Sequence, residues 1–169
     1  MKSLLHALPA LAALAITTLI ACNPPASPQN PANTGSSAVA EMTDAEISAL
    51  AKSYTSLPAL NTELKKSPTH EGMMVRTHLD QAAMTAFTNK SFPLPDGSVS
   101  VKEGHKTAEG PVEMLFVMKK IKGYDSANGD WFYAMVAPDG TAKGKGKIQM
   151  CISCHSTAKN KDYIYGFNP

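Results

Sequence analysis

The sequence predicts an α+β domain, an antiparallel β-sheet with flanking short helices, that ends in a Cys-x-x-Cys-His motif. Three observations carry that reading. Short apolar or alternating runs recur at His70–Asp80, Val99–Gly104, Met114–Ile121 and Trp131–Val136, each of strand length. Turn residues rather than helical stretches separate the later runs, at Pro95-Asp96-Gly97-Ser98, Gly123 to Asp130 and Pro138-Asp139-Gly140. The two stretches that read as helices are short and begin at side chains suited to capping, Thr43 and Asp80. Later strands joined by turns rather than helices argue for antiparallel pairing.

Along the chain, residues 1–21 come first and read as an export signal. Lys2 supplies the positive start, and Leu4 to Ile20 is an apolar stretch interrupted by Pro9. That stretch is near the lower length limit for a spanning helix, so a permanent anchor is the competing reading. The ending Leu19-Ile20-Ala21-Cys22 resembles a lipoprotein signal box and favours cleavage before Cys22 with lipid on that cysteine. Acyl chains contribute roughly 0.8 kcal/mol per buried CH₂, enough for two or three of them to hold the chain on a membrane. Asn23, rather than Asp, after the cysteine favours the outer membrane by resemblance to bacterial sorting rules. Residues 22–40 are rich in Pro, Ser, Asn and Ala and read as an extended tether, because they cannot bury enough apolar surface to offset chain entropy. Residues 41–169 remain as one domain.

Within that domain, Glu41 to Lys52 reads as a helix with Thr43 as N-cap, Glu46 closing a capping box, and Ile47 and Leu50 at helical spacing. His70 to Asp80 reads as a strand with Met73, Val75, Thr77 and Leu79 on one face. Asp80 then caps a short helix to Phe87. The strand from Val99 to Gly104 follows a Pro-Asp-Gly turn, and Met114–Ile121 and Trp131–Val136 read as buried strands. Asp162 to Phe167 is aromatic and reads as a last strand near the motif. The nine methionines read as core filler. Lysines and arginines are scattered and the net charge is only +2, so nothing points to nucleic acid.

The chemistry lies in Cys151-Ile152-Ser153-Cys154-His155, which matches the c-type haem attachment pattern in full. Two thiols at this spacing reach the two vinyl groups of one haem, and the adjacent imidazole is the proximal ligand of the iron. The alternatives are a disulfide between Cys151 and Cys154, a redox-active pair of the thioredoxin type, and a zinc site. The second lacks its strand–helix–strand setting, and the third lacks further ligands at finger-like spacing. Small helical electron-transfer cytochromes place the motif early and an axial Met downstream. Here residues 156–169 contain neither Met nor His, so a sixth ligand would have to come from upstream. His70, His78 and His105 are the candidates, each with a bland reading as a surface or core residue.

Three stretches make the domain resemble the cytochrome P-460 family, which includes the β-sheet cytochromes c′. Phe92-Pro93-Leu94-Pro95-Asp96-Gly97-Ser98-Val99-Ser100-Val101-Lys102-Glu103 is similar to the family's strand ending in Val-Lys-Glu. Gly129-Asp130-Trp131-Phe132-Tyr133 is similar to its Gly-x-Trp strand, and the haem motif with Asp162-Tyr163-Ile164-Tyr165 to its C-terminal segment. Arg76-Thr77 falls where the family places an Arg-Thr pair. The resemblance spans about residues 68–167. It implies one covalent haem c with a five-coordinate iron, and a bond from the Lys102 amine to a haem meso carbon. Alternation alone would instead turn Lys102 to solvent. Phe87 and Phe92 are the candidates for the distal wall, or plain core. Arg76 could face a bound ligand or pair with an acid. The proton-transfer carboxylate implied for catalytic members has no counterpart in Lys147-Ile148-Gln149-Met150, and Glu103 and Glu113 are the nearest acids.

By that resemblance the chain is expected to oxidise hydroxylamine, with nitric oxide chemistry, and to pass electrons to a periplasmic cytochrome acceptor. The alternative is a non-catalytic cytochrome c′-beta that binds nitric oxide or carbon monoxide. A simple electron-transfer cytochrome is disfavoured by the missing axial Met. The resemblance also implies a homodimer, and the signal places the protein on the periplasmic side of a bacterial membrane.

Overall fold

The computed structural model describes residues 39–166. The export signal, Cys22, nearly all of the 22–40 tether and Phe167 lie outside the described residues. No helix among the described residues is long and apolar enough to cross a membrane.

The first helix, α1 (Asp44–Ser53), starts where the sequence says it should. Thr43 accepts from Glu46 N–H at 3.2 Å, and the Glu46 carboxylate accepts from Thr43 N–H at 2.7 Å. This reciprocal box satisfies two amide groups that a helix start leaves without partners. Six strands follow: β1 (Lys65–Lys66), β2 (Met74–Leu79), β3 (Val99–His105), β4 (Val112–Lys120), β5 (Trp131–Val136) and β6 (Ala142–Gly146). They pair antiparallel in sequence order, β1 to β6, as one meander. Between β2 and β3 lies α2 (Gln81–Thr88), capped by Asp80 at Ala82 and Ala83 N–H. The haem motif sits on α3 (Gln149–His155), directly after β6.

Register fixes two faces. Thr77, Lys102 and Phe116 stand side by side across β2, β3 and β4, and Phe116 is opposite Met135 on β5. Arg76, Glu103 and Leu115, one residue along, therefore stand on the opposite face, because side chains alternate along a strand. Helix α1 covers this second face, with Ile47 and Ala51 packed into Val101, Val117, Phe132 and Val136. Each such aliphatic side chain contributes roughly 1.5–3 kcal/mol by leaving water. The first face is covered by α2, α3 and the C-terminal segment, where Leu79, Trp131, Tyr133, Ile152 and Ile164 form a separate core.

One expectation is corrected, and one strand was not foreseen. The described part of that stretch, Asp162 to Gly166, does not form a strand: Asp162 and Tyr163 both take left-handed backbone, φ 49 and 66. That double reversal cannot continue a pleated ladder. Residues 142–146 form an edge strand that the sequence hides, since Ala-Lys-Gly-Lys-Gly has no apolar alternation to signal it.

Candidate haem site

One turn of α3 brings the chemistry together. Cys151 and Cys154 are three apart, hence on one helix face, and their thiols are free. His155 is buried, and its Nδ1 lies 2.7 Å from the carbonyl of Tyr163. A carbonyl can only accept, so Nδ1 carries the proton and Nε2 keeps the lone pair a metal requires. The left-handed pair Asp162–Tyr163 is what returns that carbonyl to the helix. Burial, with a smaller push from Lys102, lowers the His155 pKa to about 4, against the opposing hydrogen bond from Tyr163.

The reversed tail is clasped to the sheet. Asp162 accepts Lys120 Nζ at 2.8 and 2.6 Å and Leu94 N–H at 2.9 Å. Gly129, at φ 76, lies so close to the Tyr163 ring that an added Cβ would be 2.3 Å from it. Only glycine allows both the backbone conformation and the approach. Tyr165 donates to the carbonyl of Cys154 at 3.0 Å and sets its ring edge-on to His155, centroids 5.4 Å apart.

Beside α3 opens a cavity of about 410 Å³, lined by Cys151, Cys154, His155 and Tyr165 on one side and by Met73, Met114, Phe116 and Met135 on the other. A smaller cleft continues from it to Lys102, Ser100 and Tyr133. Adaptable thioether and aromatic walls, two thiols on the rim and one imidazole of fixed tautomer fit a flat apolar macrocycle with a central metal. These residues would hold a haem, with His155 Nε2 toward its iron.

Lys102 is not solvent-facing; it is 6% exposed, because β3 is covered on both faces. Among the described residues its amine has neither a hydrogen bond nor an ion pair, and it lies 5.8 Å from the centroid of the Tyr165 ring. Burial pushes its pKa down to about 8, with Cys154 opposing. An amine so placed is nucleophilic near neutral pH.

The other sequence candidates stand elsewhere. Arg76 and Glu103 pair with each other at 3.4 Å on the α1 face, and Glu103 also accepts from Tyr54 OH at 2.7 Å. His78 and His105 approach the same carboxylate. The structure brings none of these to the cavity. Phe87 and Phe92 pack edge-to-face, centroids 5.8 Å apart, inside the α2 core and line neither cavity described. Glu113 is exposed. Among the residues that line the cavity or the cleft and that the sequence did not single out are Phe116, Tyr133, Tyr165 and Glu71. Cross-strand register opposite Lys102 was the signal for Phe116. His70 alone of the three upstream histidines reaches the cavity, 4.4 Å from the Phe116 ring by centroids.

A family model described as Cytochrome P460 matches residues 51–166. No curated protein matches the chain.

Proposed function

This chain belongs to the cytochrome P460 family and is therefore a haem cytochrome, and from that premise we propose that it holds one haem covalently through Cys151 and Cys154 and oxidises hydroxylamine. The single observation that carries the reading is Lys102: a buried amine, with no hydrogen-bond or ion-pair partner among the described residues, lining the cleft that His155 also borders. When bound, the haem supplies an iron that accepts electrons from a small nitrogen compound and hands them on. His155 presents Nε2 because Tyr163 holds Nδ1–H. Lys102, mostly unprotonated above pH 8, presents its lone pair to the macrocycle edge. Lys102 would be the residue that bonds the macrocycle of a held haem, which would exchange one N–H and one C–H for a C–N bond with loss of two protons and two electrons to an oxidant of the peroxide class. Phe116 and the three methionines exclude water from the apolar side.

A second reading is favoured by a specific observation: among the described residues no carboxylate lines the cleft between Lys102 and His155, and Glu71 only borders the larger cavity. Without an acid to take protons, the site would bind nitric oxide or carbon monoxide without turnover. In either case we place the protein on the periplasmic side of the membrane, tethered through lipid on Cys22, as a homodimer exchanging electrons with a periplasmic cytochrome.

The deciding experiment compares haem-loaded protein with its Lys102→Ala variant by intact mass and ferrous spectrum. A ferrous Soret band far to the red, lost in the variant, together with hydroxylamine-dependent reduction of an added cytochrome, supports the first reading. An ordinary c-haem spectrum, unchanged by the substitution, with no turnover but tight nitric oxide binding, supports the second.

A further inference from the structure

We propose that, in the chain before its thiols are joined to a cofactor, Lys102 and the adjoining cavity form a capture site for aldehydes with an apolar body, held as an imine on the Lys102 amine. The inference goes beyond the haem reading and does not depend on it.

Three observations meet at one place. Lys102 is buried, and its amine has neither a hydrogen bond nor an ion pair among the described residues. Tyr165, whose ring centroid is 5.8 Å from that amine, borders both the smaller cleft and the 410 Å³ cavity, so the amine stands near where the two join. Tyr133 lines the same cleft at 2% exposure, and its hydroxyl has no hydrogen-bond partner among the described residues.

Each of these has a part in imine chemistry. A lysine removed from water and from counter-charges presents a lone pair, the form that attacks a carbonyl. That lone pair adds to the carbonyl carbon, and one N–H proton is exchanged for a proton gained at the oxygen. The C–O bond then breaks, and the oxygen leaves as water while the second N–H proton is lost. Amine and aldehyde thus give imine and water, with no oxidant or reductant. Both stages need a proton at the oxygen. Burial raises the Tyr133 pKa, with Cys151 adding to the effect, so the hydroxyl keeps its proton and can supply it. Met73, Met114, Phe116 and Met135 give the rest of an apolar aldehyde a place out of water. Lys120 is the internal comparison: it is just as buried, but it is bonded to Asp162 and lines neither cavity described.

The test incubates the full-length, haem-free chain at about pH 7.5 with benzaldehyde and cyanoborohydride, which reduces an imine to a stable amine, and maps adducts by peptide mass. Lys102 should be labelled roughly tenfold or more faster than exposed Lys143, because an exposed lysine is almost wholly an ammonium there. Lys120 should stay unlabelled. Tyr133→Phe should slow labelling at Lys102 by roughly tenfold and leave Lys143 unchanged, and glyceraldehyde, a polar aldehyde, should show no preference for Lys102. Equal labelling of Lys102 and Lys143 overturns the proposal. Labelling of Lys120 to the extent of Lys102 overturns it too, since an ion-paired lysine would then serve as well. A Tyr133→Phe chain that reacts at the parental rate overturns the part given to Tyr133. The haem reading is decided separately, by the mass of the chain after haem attachment.

Discussion

Two lysines on the same face of the sheet are equally buried, 6% exposed each, and have opposite surroundings. Lys120 is saturated: two oxygens of Asp162, the carbonyl of Gly129 and the face of Trp131, 5.2 Å to its centroid. Lys102 has neither carboxylate nor carbonyl among the described residues, only the Tyr165 ring at 5.8 Å. Burying an ammonium costs several kcal/mol unless partners replace its water. Lys120 meets that cost with a carboxylate and so ties the tail to the sheet. Lys102 meets it by giving up its proton readily, which is how a lysine becomes a reactive group. The same residue type, the same depth and the same face thus yield a fastener in one place and a nucleophile in the other.

The contrast can be broken from either side. The largest effect is expected from Asp162→Asn, which leaves the Lys120 charge buried and uncompensated and frees the tail. Stability should fall by ~3–5 kcal/mol in urea denaturation, and the chain should retain less haem because Tyr163 no longer orients His155. If stability is unchanged, the clasp is not what holds the tail.

Next in size is the pH dependence that Lys102 imposes on the haem-free chain. Its folded pKa, about 8, lies below the ordinary 10.5. Below pH 8 both folded and unfolded chains carry the proton, and the burial penalty is present in full. Between pH 8 and 10.5 the unfolded chain holds more protons, so stability rises with pH, by roughly 3 kcal/mol. Lys102→Met should be more stable at neutral pH and lack this rise, as denaturation curves across that range will show. Lys120→Met, by contrast, should only destabilise.

Gly129→Ala should cost ~1–3 kcal/mol, from left-handed backbone and from displacing the Tyr163 ring. Thermal unfolding that matches the parent would show the ring has room to move. The smallest change is expected from Tyr133→Phe. Its buried hydroxyl has no hydrogen-bond partner among the described residues, so removal should shift stability by less than ~1 kcal/mol, in either direction.

Much of this fold was legible because its strands are short, apolar and separated by turn residues, and because Thr43 and Asp80 announce their helices. The Cys-His motif was legible as a local pattern. What was hidden depends on partners far along the chain. Alternation told that Lys102 and Glu103 face opposite ways, but not that both faces are covered, so burial of Lys102 could not follow from it. Phe116 and His70 meet over the cavity only through cross-strand register and the β1–β2 turn. Phe87 and Phe92, candidates for the distal wall or plain core, pack with each other in the α2 core. The tail misled because its aromatic residues suggest a strand, while Asp162 and Tyr163 spend their conformational freedom on reaching Lys120 and His155.

The clasp also sets an order of assembly. Helix α3 is held by its own turn, whereas the Lys120–Asp162 pair joins residues 42 apart along the chain. Distant contacts carry the larger loop-closure cost, so the helix that bears Cys151 and Cys154 forms ahead of the tie that fixes it against the wall of Met114, Phe116 and Met135. The last step in building the site is thus a buried ion pair.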